Sequence, residues 1–215
     1  MKQHRSVQRR IWSALSGLAV TASVLTVSTL AGPTAASAAP PAKETSSVQP
    51  TSVYTEFTGW DASGPQEGWT VSRKGSQNVE WGFSATREIA PTGSEGIFAD
   101  VAGAGMSWTS GTFGVDTSLV SPAVDLTGQE SPTVEFDSFS YTTTDGTYAT
   151  SHSVELSLDG GRSWSTAWAG DANQHVTVPI PQAAGHAGVL VRFHFTGFAQ
   201  VWPSWTLDNV FIGTR

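Results

Sequence analysis

The sequence predicts an all-β protein, a two-sheet antiparallel sandwich of the jelly-roll type, and three observations carry that expectation. Apolar and polar residues alternate at period two through many short stretches. Gly, Pro, Asn and Asp interrupt those stretches at hairpin-like intervals. From residue 52 onward no stretch keeps helical apolar spacing for longer than a turn or two. Ten short strands in roughly 160 residues fit two packed sheets, and a jelly roll is the common solution at this size.

In chain order the strands are expected at 53–57, 69–73, 97–101, 118–126, 132–141, 152–158, 163–169, 175–180, 188–196 and 205–212. Over 152–158, Val154, Leu156 and Leu158 face one way, with Ser153, Glu155 and Ser157 opposite. Over 175–180 the inward set is Val176, Val178 and Ile180. Over 188–196 it is Val189, Val191, Phe193 and Phe195, which leaves Arg192 and His194 outward. One clean apolar face per strand belongs to antiparallel sheets packed on one side. In 132–141, Val134 and Phe136 share a face while Phe139 and Tyr141 have the opposite parity, which places a bulge near Asp137 or Ser138.

A different kind of sequence precedes these strands. Lys2, Arg5, Arg9 and Arg10 open the chain without an acid, a largely apolar run covers 11–30, and Ala36-Ser37-Ala38 follows. Basic start, apolar middle and small-residue end describe a secretory signal peptide over 1–38. A run of 20 residues is long enough to span a bilayer. Seven of them are Ser or Thr, however, and no basic cluster follows, so cleavage is the expectation rather than an anchor. Arg9-Arg10 with Trp12 resembles a twin-arginine signal, from which Gln8 departs, so the export route stays open. Residues 39–51, rich in Pro, Ser and Ala, read as a disordered linker, and the sandwich is expected over 52–215.

The whole chain carries a formal charge of −7; loss of the four basic residues in 1–38 leaves seven basic groups against 18 acidic ones, or −11. Such a chain repels phosphate backbones and anionic lipid, which argues against nucleic acid and, after signal cleavage, against a membrane partner. There is no Cys, which excludes a disulfide scaffold, a thiol nucleophile and thiolate metal sites. Nine Trp and ten Phe provide bulky core material.

Five segments, in order, resemble the secreted bacterial jelly-roll modules called MAM-like, cleaved-adhesin or choice-of-anchor J, which also occur in immune inhibitor A metalloproteases. They are Gly68-Trp69-Thr70-Val71, the run from Leu119 through Ser121-Pro122 to Asp125-Leu126, the run from Val154 through Asp159-Gly160-Gly161 to Trp164, Val191-Arg192-Phe193, and Trp205-Thr206-Leu207-Asp208-Asn209-Val210. The resemblance implies a non-catalytic accessory module. It also implies a structural Ca²⁺ between an acid of the first strand and the Asp of the last, which is Asp208 here. The family's Phe-Glu order is reversed in Glu56-Phe57, so Glu56, Asp61 and Asp100 all stand as first-strand candidates.

The remaining motifs are read on their own chemistry. Ser157-Leu158-Asp159-Gly160-Gly161-Arg162-Ser163-Trp164 matches the Asp-box pattern and reads as a hairpin turn with Trp164 packed beneath it. Glu135 and Asp137 share a strand face, yet the second Glu of a laminarinase-type motif is replaced by Ser138-Phe139-Ser140. The histidines show no metal-ligand spacing, and Arg192, His194 and Glu155 are expected as neighbours across adjacent strands. Trp69, Trp164 and Trp205 fall in positions that look like core. Trp202, Trp81 and Tyr148 lie in polar or turn-rich surroundings and are the candidates for a ligand-stacking surface. The expectation is a secreted recognition or adhesion module for carbohydrate or extracellular protein surfaces. The rival is a β-sandwich glycoside hydrolase or lyase using Glu135 or Asp137.

Overall fold

A computed structural model describes residues 48–61, 63–74, 80–85, 90–101, 114–140, 150–198 and 205–215. All of them belong to one compact unit, Ser46–Arg215. Residues 1–38 lie outside the described part, as do Trp202 and Tyr148.

The described chain forms eleven strands: β1 Val53–Thr55, β2 Thr70–Lys74, β3 Gly82–Ser84, β4 Phe98–Asp100, β5 Gly114–Val120, β6 Thr133–Ser140, β7 Thr150–Ser157, β8 Ser165–Ala169, β9 His175–Pro179, β10 Leu190–Phe198 and β11 Trp205–Gly213. A single 3₁₀ turn, Pro181–Ala183, is the one helical element among them. The first sheet runs β3-β4-β11-β6-β9, and β1 shares with β4 the edge of β11 that faces away from β6. The second runs β2-β5-β10-β7-β8. Every pairing is antiparallel, so the chain is a two-sheet sandwich as expected.

Strand alternation builds the core. Val154 and Leu156 of β7, Val191, Phe193 and Phe195 of β10, and Leu119 of β5 point inward from the second sheet. Val134 and Phe136 of β6 and Trp205, Leu207, Val210 and Ile212 of β11 meet them from the first. The Trp205 indole sits at the centre, with ring centroids 5.4 Å from Trp81, 5.2 Å from His152 and 5.9 Å from Phe193. Its N–H is not left bare: it donates to the Ser138 hydroxyl at 3.1 Å, as a buried indole requires.

Three departures from the sequence reading have local causes. The bulge lies not in β6 but opposite it, in β11, where the register shifts between Asp208 and Phe211 and Asn209 takes φ 49°. Phe139 keeps the parity of its strand and sits half-buried on the outer face. The strand expected at 118–126 ends at Val120, because Pro122 has no N–H to give a ladder, and Val124 then makes an isolated bridge with Val189. Strand β3 gave no signal, since Phe83 is its one large apolar residue between Gly82 and Ser84. Pro50 and Thr51, placed in the linker by composition, accept hydrogen bonds from Asp125 N–H and Gln129 Nε2.

Candidate functional site

Alternation on the second sheet leaves Asp116 of β5, Arg192 and His194 of β10, and Ser153 and Glu155 of β7 on the outward face. The ladder sets Arg192 opposite Glu155, and His194 between Ser118 and Ser153. Long side chains at such diagonal positions reach one another. Glu155 Oε2 accepts from Arg192 Nε at 2.8 Å and Nη2 at 2.5 Å. Oε1 accepts from the Ser153 hydroxyl at 2.9 Å and lies 3.0 Å from His194 Nδ1. His194 Nε2 lies 2.9 Å from Asp116 Oδ1, and Lys74 Nζ stands 4.0 Å from the other oxygen of Asp116. The result is one hydrogen-bonded row across three strands, Asp116–His194–Glu155–Arg192, with Lys74 of β2 as an ion-pair partner at its Asp116 end.

Trp164 closes the row. The Arg192 guanidinium lies over its ring at 4.4 Å. The ring is held there by the hairpin between β7 and β8. Asp159 accepts the N–H groups of Arg162 (3.0 Å) and Ser163 (2.9 Å) and the hydroxyls of Ser157 (2.8 Å) and Ser163 (2.6 Å). Gly160 and Gly161 take φ 72° and 87°, which a side chain would resist. Those hydrogen bonds, from Ser163 first, hold the Asp159 carboxyl well below the usual range. The Asp-box motif is therefore a turn that aims an aromatic ring, and Trp164 is half-buried beside Arg192 rather than in the core.

The row has both donors and acceptors but no free acid. Burial alone would push the Glu155 carboxyl up; hydrogen bonds from His194, Arg192 and Ser153 outweigh it, and the pKa is lowered. Arg192, His194 and Glu155 keep 14%, 14% and 12% side-chain exposure, whereas Asp116 keeps 36%. The central groups are held, and Asp116 is the more accessible one.

On the outer face of the first sheet the bulge in β11 gathers acids. Asp208 is opposite Asp137 in the ladder and only 1% exposed. The Ser94 hydroxyl donates to its Oδ2, and the Asn209 N–H donates to Oδ1 at 2.8 Å. Burial raises its pKa to about 6, aided by the charges of Asp137 and Glu56 and opposed by those two hydrogen bonds. Asp137 is itself engaged, with His175 Nδ1 2.7 Å from Oδ1 and Asn209 Nδ2 donating to Oδ2 at 2.7 Å. The Tyr54 hydroxyl donates to Asn209 Oδ1 at 3.2 Å.

The proposed first-strand acids separate here. Glu56 stands on the Asp208 side, exposed on the same face as Tyr54 and opposite the buried Val53, Thr55 and Phe57. Asp61 is exposed and spends Oδ1 on the Ser63 N–H at 2.8 Å within its own turn. Asp100 is buried on β4 opposite Thr206 and accepts from the Ser84 hydroxyl. The oxygen donors near Asp208 suit a hard cation in kind. In arrangement, no three acidic or histidine side chains among the described residues converge to hold one. Backbone carbonyls or water would have to complete a Ca²⁺ shell.

Trp81 is not a surface ring. It is 3% exposed and belongs to the core, packed against Trp205. Its polar sequence neighbours pointed to the surface, whereas its ring contact lies with Trp205, 124 residues away in the chain. Asp116 was missed for the opposite reason: it lies 78 residues from His194, and no local spacing joins them. Period-two parity along β5 was the signal that would have placed it outward.

No family model and no curated protein matches the sequence. Solved structures do. A cleaved adhesin domain of Lys-gingipain from Porphyromonas gingivalis aligns over 77% of this chain and 99% of its own, at 17% identity and TM-score 0.56. A second cleaved adhesin domain of Lys-gingipain aligns over 76% and 98%, at 13% identity and TM-score 0.53. The likeness is one of fold. A carbohydrate-binding module solved with β-1,4-galactotriose aligns over 75% of this chain and 95% of its own, at 8% identity and TM-score 0.47, which is too loose to add to that statement.

Proposed function

We propose that this is an exported recognition module that binds a hydroxyl-rich, uncharged carbohydrate on the outward face of its second sheet and leaves it chemically unchanged. The observation that carries the reading is the Asp116–His194–Glu155–Arg192 row ending on the Trp164 ring. A sugar presents hydroxyls that both donate and accept, together with apolar ring faces, and this row offers acceptors, donors and an indole on one surface. Its positive and negative groups nearly balance, and the acidic chain as a whole disfavours anionic ligands.

The same geometry weighs against hydrolysis. Glycosidic cleavage needs a proton-donating carboxyl and a second carboxyl across the bond. Glu155 is held ionised, Glu135 accepts from Arg215 at 2.9 Å, and Asp137 is tied to His175 and Asn209. A structural Ca²⁺ centred on Asp208, with Glu56 beside it, belongs to the same proposal. Its support is the unfavourable burial of the Asp208 charge next to two other acids, which a cation would relieve. Calcium that binds only the folded state should then raise the melting temperature, and EDTA should lower it.

Calorimetric titration with neutral oligosaccharides tests the binding reading. The wild type should bind at least one of them with no release of reducing ends. Trp164→Ala should bind it about tenfold more weakly at an unchanged melting temperature. Equal affinity in both proteins removes this face from the account.

A further inference from the structure

One end of the core, beside Trp205, holds buried polar atoms that no described residue satisfies. They are Trp81 Nε1, His152 Nε2 and Thr150 Oγ1. Trp81 directly precedes β3 of the first sheet and His152 lies on β7 of the second. Both rings pack on the Trp205 indole, at centroid distances of 5.4 and 5.2 Å. Thr150 stands two residues before His152, on the same face of β7. The two rings are out of solvent: Trp81 is 3% exposed and the His152 side chain 0%. The Trp205 N–H between them is already satisfied by Ser138 and competes for nothing. A buried donor or acceptor left unpaired is costly, and native folds rarely leave one, so these atoms mark a place where a further group belongs.

Hydrogen counting fixes the chemistry of that group. His152 Nδ1 lies 2.7 Å from Asp171 Oδ1, and a carboxylate oxygen only accepts, so Nδ1 carries the ring's proton. Burial disfavours a second proton and holds the His152 pKa below the ordinary imidazole value, against the pull of Asp171. Nε2 is then a bare acceptor, whereas the Trp81 indole can only donate and the Thr150 hydroxyl does either. A carbonyl cannot give Nε2 a proton, and an ammonium cannot accept one from the indole. A carboxylate fails at Nε2 and would bury its charge. A metal ion would leave the indole N–H unpaired, and no three acidic or histidine side chains among the described residues converge to hold one. We infer that this end of the core is a binding site for neutral hydroxyl groups, which donate to His152 Nε2 and accept from Trp81 Nε1. The site is separate from the outward face of the second sheet and does not rest on the reading of that face. Its aromatic walls, Trp81, Trp205 and Phe195, suit a compact neutral group or the apolar face of a small sugar ring. Two sources offer the hydroxyl: an internal water, or a small neutral polyol such as a monosaccharide. Either one ties the two sheets together, through Trp81 on one side and His152 on the other.

The experiment has two arms, both by NMR on the full chain at neutral pH. In the first, ¹⁵N shifts should show His152 protonated at Nδ1, with Nε2 shifted as a hydrogen-bond acceptor is. The Trp81 indole proton should lie downfield, where a hydrogen-bonded indole lies. A His152 proton on Nε2, or a Trp81 indole proton at the unbonded position with and without added probes, overturns the inference. The second arm separates the two sources, with glycerol, glucose, galactose and mannose as probes. Cross-relaxation between water and the Trp81 indole proton that survives saturation with all four assigns the hydroxyl to water. Its loss on adding one probe, with a shift of the His152 and Trp81 resonances, assigns the hydroxyl to that probe. Trp81→Phe should then weaken that probe about five- to tenfold, the effect of losing one good hydrogen bond. His152→Phe should do the same from the other side, so that a folding defect in one variant leaves the other as the control. An affinity unchanged in both overturns the assignment to these side chains. A bonded indole proton that meets neither water nor probe has a protein partner, which also overturns it.

Discussion

Asp208→Asn in calcium-free buffer isolates the energetic burden of one buried charge. The variant keeps an acceptor for the Asn209 N–H at the position of Oδ1 and puts an amide where Oδ2 meets the Ser94 hydroxyl, so packing changes little. In the folded protein the carboxyl ionises at about 6 against an ordinary 3.8. A group whose folded pKa is raised binds its proton more tightly in the native state, so its contribution to stability is present at low pH and is lost as pH rises through about 6. Between pH 8 and pH 5 the folded carboxyl takes up a proton while the unfolded one stays mostly ionised, which adds about 1.4 kcal/mol. The full contribution at still lower pH is on the order of 3 kcal/mol. Urea melts in EDTA should therefore find the variant more stable than wild type at pH 8, with the gap about 1.4 kcal/mol smaller at pH 5. Taking the difference between the two proteins removes every other titrating group. Saturating Ca²⁺ should reverse the order at pH 8, since the wild-type carboxylate then has a counter-charge. A gap that is the same at pH 5 and pH 8 in EDTA would refute the burial argument.

His152 should act in the opposite sense. It lies in the core between Phe195 and Trp205, and burial depresses its pKa despite Asp171 at 2.7 Å, so stability should fall as pH drops below about 6.5 and His152→Phe should flatten that loss in thermal melts. Ser138→Ala strands the buried Trp205 N–H and should destabilise by about 1–3 kcal/mol in the same urea assay, with no change in ligand affinity. Arg192→Met leaves Glu155 nearly enclosed without its guanidinium and should cost about 2 kcal/mol, most of which Arg192→Met with Glu155→Leu should restore.

Much of this was legible where a residue's fate depends on its own strand. Val191, Phe193 and Phe195 against Arg192 and His194 follow from alternation alone, and the structure places all five as the pattern requires. Legibility failed where the outcome depends on the neighbouring strand. The parity break at Phe136 and Phe139 was assigned to β6, whereas the irregularity that re-aims side chains belongs to its partner β11 at Asn209. Likewise Trp81 and Trp164 exchanged roles. The first is drawn into the core by Trp205, the second is kept at the surface by Arg192, and both partners are distant in sequence. Asp208 was identified from its motif, but Asp137, which sits across from it, had been weighed only as a catalytic acid.

The place of β11 has a consequence for the order in which the molecule can assemble. It is the spine of its sheet, paired with β6 on one side and with β4 and β1 on the other, yet it follows all three in the chain. Tyr54 of β1 waits for Asn209, 155 residues downstream. In the second sheet β7 and β8 can close as a hairpin and β10 can then join β7 and β5 before β11 emerges, but the first is a set of unconnected ribbons until residues 205–213 arrive. Closing such distant partners is slow, because the loop entropy is spent before any contact rewards it. During that interval β1, β4 and β6 present bare edges and the indole-lined half of the core stands open, so the nascent chain is most exposed to self-association just before its last strand inserts.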